Sequence, residues 1–139
     1  MTRKISFHKV LNVDSRKTLE VVTNFNDYAN FIPGCTSAKL ISRESSKEIG
    51  RLEFNLLGKD YFIESENIID DSSIIINQLK GPFKKFKGEW TVESIDESSC
   101  QINFNASYEL PFLLDAITPK QIVDNFSKNI IESFIKRVS

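Results

Sequence analysis

Histidine is nearly missing from this chain, with one in 139 residues, and cysteine stands at two. Cys35 and Cys100 are too few for a disulfide scaffold and neither sits in a CxxC pair, so both read as reduced thiols. One histidine and two distant cysteines do not assemble a three- or four-ligand zinc site. Asp70-Asp71 reads as a hairpin turn rather than a calcium loop. Neither GxGxxG nor GxxxxGK[ST] occurs, which leaves phosphate cradling by a glycine-rich loop without support. Charge of one sign is lacking too: 18 Lys and Arg against 19 Asp and Glu give a net charge of -1. The resulting pI of about 5.9 argues against DNA as a partner. No window approaches the ~20 apolar residues of a membrane span. Met1–Lys9 has a positive start but no apolar run behind it, unlike a signal peptide. The chain reads as cytoplasmic, with peripheral contact at the inner membrane as its closest approach to a bilayer.

What the sequence does have is apolar and aromatic. Hydrophobic residues make up 40%, and eleven phenylalanines exclude a disordered chain. Residues 1–139 suit a single domain that buries roughly two thirds of its unfolded surface. Ile5, Phe7, Leu11 and Val13 share the odd parity of a first strand, with Lys9 as a break. Asp14 or Ser15 can cap a short helix carrying Leu19, Val22 and Phe25. A second helix is expected from Asn26-Asp27, with Tyr28 and Phe31 on one face, until Pro33 bars it and Pro33-Gly34 turns the chain.

From Cys35 to Glu109 the apolar period is two. Leu52, Phe54 and Leu56 alternate with polar neighbours, Gly58-Lys59 and Asp70–Ser73 are turns, and Phe86, Gly88, Trp90 and Val92 face one way. Cys100, Ile102, Phe104, Ala106 and Tyr108 form the cleanest alternation. Pro111 ends the strands. Thr118-Pro119-Lys120-Gln121 reads as a capping box opening a long helix, whose stripe runs through Ile122, Val123, Phe126, Ile130, Ile131, Phe134, Ile135 and Val138. The expected fold is α+β: a curved antiparallel sheet of about seven strands, two short helices after the first strand, and a long C-terminal helix packed across the sheet.

Catalytic machinery is hard to assemble from these residues, and the chain reads as a non-enzyme that requires no cofactor. His8 falls on the polar parity of the first strand and reads as solvated. No histidine or cationic cluster lies near either cysteine to lower its pKa. Glu64 and Glu66 share a strand face, and a solvated face explains them. Phe83, Phe86, Trp90, Phe104, Tyr108, Phe126 and Phe134 are expected to face inward as a lining for a flat or elongated apolar ligand, with Phe54 and Ile130 as further candidates.

Two stretches carry a family resemblance. Tyr28-Ala29-Asn30-Phe31-Ile32-Pro33-Gly34-Cys35 and Gly81-Pro82-Phe83-Lys84-Lys85-Phe86-Lys87-Gly88-Glu89-Trp90 resemble the YxxFLPGC and GPFKxLxGxW signatures of the coenzyme Q-binding START-domain proteins and their bacterial relatives, the ribosome-association toxins of the RatA type. The resemblance implies a START-like helix-grip fold with a hydrophobic tunnel between sheet and last helix. It implies binding of ubiquinone or a related isoprenoid or lipid in support of respiration. In that reading Tyr28 and Phe31 close one end of the tunnel, Phe83 and Phe86 point in, Gly88 allows a bend or a close approach, and Trp90 forms a wall. The alternative it implies is a toxin that binds the large ribosomal subunit and blocks subunit association, with Lys80, Lys84, Lys85 and Lys87 as the surface that meets rRNA. A groove for a protein segment is a third reading.

Overall fold

Alternation of apolar and polar residues is realised as seven strands in one antiparallel sheet. They are β1 (Arg3–Leu11), β2 (Cys35–Glu44), β3 (Lys47–Leu56), β4 (Lys59–Ile69), β5 (Ser73–Lys80), β6 (Lys85–Asp96) and β7 (Ser99–Glu109), in the order β1-β7-β6-β5-β4-β3-β2. The structure, a computed structural model, describes residues 1–56 and 58–139. Consecutive strands from β2 to β7 are neighbours, and β1 joins beside β7, so the first and last strands are paired. Irregular register within the β2–β3, β4–β5 and β6–β7 pairs adds local bending, which helps the sheet curl around what it covers.

Between β1 and β2 lie α1 (Ser15–Thr23) and a 3-10 helix over Phe25–Asn30. The Asp14 carboxylate caps α1 by accepting from the Lys17 amide at 2.9 Å. The second helix expected here winds at three residues per turn. That places Tyr28 and Phe31, three apart, on the same side, where both meet the C-terminal helix. Gly34 then takes φ 78°, a left-handed turn that favours glycine.

After β7 the chain makes α2 (Phe112–Ile117), a short helix the apolar periodicity had not revealed, and then α3 (Lys120–Val138). Thr118 therefore does not open a capping box. Its amide donates to the Leu114 carbonyl and closes α2, while α3 starts after Pro119 with no side-chain cap. The Arg3 side chain holds this corner: its Nε donates to Asp115 Oδ1 at 3.0 Å, and Nη2 to the carbonyls of Asp115 and Thr118 at 3.0 and 2.9 Å. At the far end Arg137 forks onto Asp27 with two contacts of 3.0 and 3.1 Å, tying the last turn of α3 to the 3-10 helix.

The core lies between the sheet and the C-terminal half of α3. Leu11, Val22, Phe25, Tyr28, Ile32, Ile74, Trp90, Val92, Ile102, Ile131, Phe134 and Val138 are buried in one cluster. Gly50 is required beneath it, because a Cβ there would sit 2.5 Å from the Phe25 ring. Among the described residues no helix is long and apolar enough to cross a membrane.

Candidate functional site

Register stacks the inward residues in rows across β1, β7 and β6. Arg3 lies opposite Tyr108 and Tyr108 opposite Phe86; Ile5 pairs with Ala106 and Ala106 with Gly88; Phe7 pairs with Phe104 and Phe104 with Trp90. The strand parity seen in the sequence thus brings the expected aromatic lining onto one face. Those residues then divide into two groups along α3.

The first group is packed shut. Phe134 takes Tyr28, Phe31 and Trp90 around it, with ring centroids 5.1, 5.0 and 5.1 Å away. Tyr28, Trp90 and Phe134 are buried and Phe31 is half-buried against them. The Tyr28 hydroxyl donates to the Val22 carbonyl. Burial, reinforced by the nearby Glu48 carboxylate, pushes its phenol far above the ordinary tyrosine range. Tyr28, Phe31, Trp90 and Phe134 thus fill this end of the space under α3 with one another's rings.

The second group is partly exposed, although its Phe104 and Ile130 also pack against the buried core. Phe83 lies 5.2 Å from Phe86 and 5.6 Å from Tyr108, apart from the core cluster. Phe83, Phe86, Phe104, Phe126 and Ile130 are half-buried although they occupy the inward parity of the sheet or the apolar stripe of α3. Tyr108 is the buried floor of this group. Burial raises its phenol, while the adjacent Arg3 guanidinium opposes the shift. Gly88 receives the rings of Phe86 and Phe104, each 3.3 Å from where a Cβ would stand, so its close approach is to ring edges rather than to the helix. Gln78 fixes the loop that presents Phe83, donating to the Phe83 carbonyl at 2.8 Å and accepting from its amide at 3.3 Å. Phe54 stands apart on β3, bordering a pocket of about 250 Å³ shared with Arg51, Glu53, Asp60 and Phe62.

Lys80, Lys84, Lys85 and Lys87 are all exposed, and among the described residues none of them forms an ion pair. A groove of about 680 Å³ lies at the opposite end of the sheet, between the end of β1, the β6–β7 hairpin and the end of α3. Its lining mixes Lys9, Asp14, Lys17 and Glu97 with Val10, Leu11, Val13 and Ile135, and none of the expected ligand residues borders it.

The polar residues expected to be inert sit as follows. His8 is exposed on the outer face of β1, opposite Asn103. Cys100 is fully buried beside the Thr18 hydroxyl, and burial pushes the Cys35 thiol up. Glu64 pairs with Arg51 at 2.7 Å and Glu66 with Lys47 at 3.6 Å. Two buried charges escaped the sequence reading. Glu48 shares the inward parity of Gly50, Leu52 and Phe54 and is 3% exposed, with Arg43 3.5 Å from one carboxylate oxygen. Arg3 shares the parity of Ile5 and Phe7. Parity was the available signal for both.

A curved seven-stranded antiparallel sheet gripping a C-terminal helix defines the START-like class. Within it, the chain belongs to the family described as polyketide cyclase/dehydrase and lipid transport, whose sequence profile matches residues 12–135. It is 22% identical over 135 residues to the ribosome association toxin RatA of Escherichia coli strain K12, covering 96% of this chain and 85% of that one. The crystal structure of the Zhui aromatase/cyclase from Streptomyces sp. R1128 superposes with a TM-score of 0.84 at 15% identity, over 99% of this chain and 94% of that chain. A START superfamily protein from Mycobacterium smegmatis gives 0.81 at 14% identity, over 97% and 96%.

Proposed function

We propose that the protein binds an apolar small molecule, ubiquinone or an isoprenoid or lipid of similar shape, between the sheet and the first turns of α3, without transforming it and in support of respiration. One observation carries this reading. Phe83, Phe86, Phe104 and Phe126 occupy inward positions yet stay partly exposed, which leaves part of their apolar surface for a ligand to cover. Burying apolar surface there is favourable by about 25 cal/mol per Å², and an isoprenoid tail has ample surface to offer. No histidine or reactive thiol borders these rings: His8 is on the outer face and Cys100 is sealed. The test is lipid extraction and mass spectrometry of the purified protein, followed by titration with a short-chain quinone monitored through Trp90, whose ring is 4.8 Å from Phe104. A copurifying lipid or a saturable micromolar response supports the reading; silence in both experiments ends it.

The second reading, association with the large ribosomal subunit, is favoured by the near full-length likeness to a protein named ribosome association toxin and by the four unpaired lysines around the β5–β6 connection. Binding through them would weaken steeply with salt. Gradient sedimentation of a lysate at low salt decides it, since a protein that never travels with large subunits does not act there.

A further inference from the structure

The short helix α2 and the first turn of α3 carry the most exposed cluster of large apolar side chains in this part of the fold. Phe112 is 84% exposed, Leu113 76%, Ile117 74% and Ile122 60%. A six-residue helix with such a surface gains nothing from its own packing, yet Arg3 fixes it with three hydrogen bonds. The buried guanidinium holds the backbone of α2 at the sheet corner and leaves the apolar side chains outside.

Lysines outnumber the carboxylates that lack an ion-pair partner around this corner. Lys84 lies beside it, its backbone N–H donating a hydrogen bond to the Glu109 carbonyl at 2.8 Å, and Lys85 faces Glu109 in register. Lys4 and Lys87 flank Ser107 on the outer face of the sheet. Two of the nearby carboxylates are ion-paired, Asp115 with Arg3 at 3.0 Å and Asp124 with Lys120 at 2.6 Å, while Glu109 keeps its charge and meets only the Thr2 hydroxyl at 3.4 Å. Lys4, Lys84, Lys85 and Lys87 are exposed and unpaired among the described residues. An apolar tip beside exposed lysines matches an interface of lipid tails beneath anionic headgroups, which attract each lysine near the surface. A second copy meeting the same patch across a two-fold axis would bring the two sets of lysines together, and like charges oppose that contact.

We propose that the corner formed by α2 and the start of α3 docks on the surface of an anionic phospholipid bilayer, with Phe112, Leu113 and Ile117 entering the interface and the lysines meeting the headgroups. The inference deepens the ligand-binding reading and rests on it for its purpose: the corner adjoins the open group of rings, so docking there would let an apolar ligand pass without crossing water.

Vesicle co-sedimentation tests the proposal, using phosphatidylcholine vesicles with and without phosphatidylglycerol. The protein is expected to pellet with the anionic vesicles, weakly with the neutral ones, and progressively less as salt rises to about 0.5 M. The triple variant Phe112→Ser, Leu113→Ser, Ile117→Ser should lose binding, and Lys84→Glu with Lys85→Glu should weaken it about tenfold or more at low salt. Circular dichroism of both variants verifies their fold, which these exposed positions do not support. Failure of the unmodified protein to pellet with anionic vesicles would overturn the proposal. So would equal pelleting of the triple variant, or light scattering that shows the patch joining two copies. A quinone titration without vesicles separates the two readings. Retained quinone response with lost vesicle binding in the triple variant supports both, while vesicle binding without any quinone response leaves the docking surface and removes the ligand.

Discussion

The two halves of α3 rest on the same sheet, carry the same kinds of side chain, and end differently. Over its last turns Ile131, Phe134 and Val138 are buried, and the 3-10 helix supplies Tyr28 and Phe31 to fill the space. Over its first turns Phe126 is half-buried and Ile122 exposed, and Ile130 in the middle is half-buried against the edge of the core. The closed half gives the domain its stability, and the open half leaves ring surface to spend on something else. A ring therefore has to be judged by its neighbours rather than by its type.

The sharpest way to break this contrast is to empty the closed half. Phe134→Ala should cost about 3–5 kcal/mol in urea denaturation, since the cavity it leaves lies among three other rings. Next comes Arg3→Met, expected to cost about 2–3 kcal/mol through the lost charged hydrogen bonds. Hydrogen exchange should then show α2 opening faster while the last turns of α3 keep their protection. Gly50→Val should cost about 1–3 kcal/mol by displacing Phe25 from the sheet, read as a lowered thermal midpoint.

Alkali gives a gentler test. Burial raises the phenols of Tyr28 and Tyr108 in the folded protein, so between pH ~10 and their higher folded values the unfolded chain releases protons that the folded one keeps. Their share of stability is intact below pH ~10 and falls as the pH climbs above it, and denaturation midpoints from pH 8 to about 11 should decline accordingly, less so in Tyr28→Phe. The smallest effect on stability belongs to the open half: Phe126→Ala should cost about 1 kcal/mol or less while reducing affinity for quinone.

Much of this contrast was legible in the residue pattern, and its decisive part was not. Parity placed Phe86, Gly88, Trp90 and Val92 on one face of their strand and Cys100 to Tyr108 on one face of the next, because a pleated strand leaves few alternatives, while the register that sets Tyr108 beside Phe86 came only with the structure. The stripe on α3 was equally plain. Periodicity is silent on filling, since Phe134 and Phe126 carry the same signal and only the arrival of the 3-10 helix separates them. Helix α2 escaped notice because six residues, four of them large and apolar, show no polar face. Thr118 was misjudged for the same reason: a cap residue between two helices can serve either. Arg3 and Glu48 were passed over because charge usually means solvent, although their strand parity points inward.

The most direct test of the account is chemical-shift mapping of the labelled protein titrated with a short-chain quinone. Saturable shifts confined to Phe83, Phe86, Phe104, Phe126 and their neighbours, with Tyr28 and Phe31 unmoved, are the expected result. Shifts gathered in the groove of Lys9, Asp14 and Lys17, or none that saturate, would contradict it.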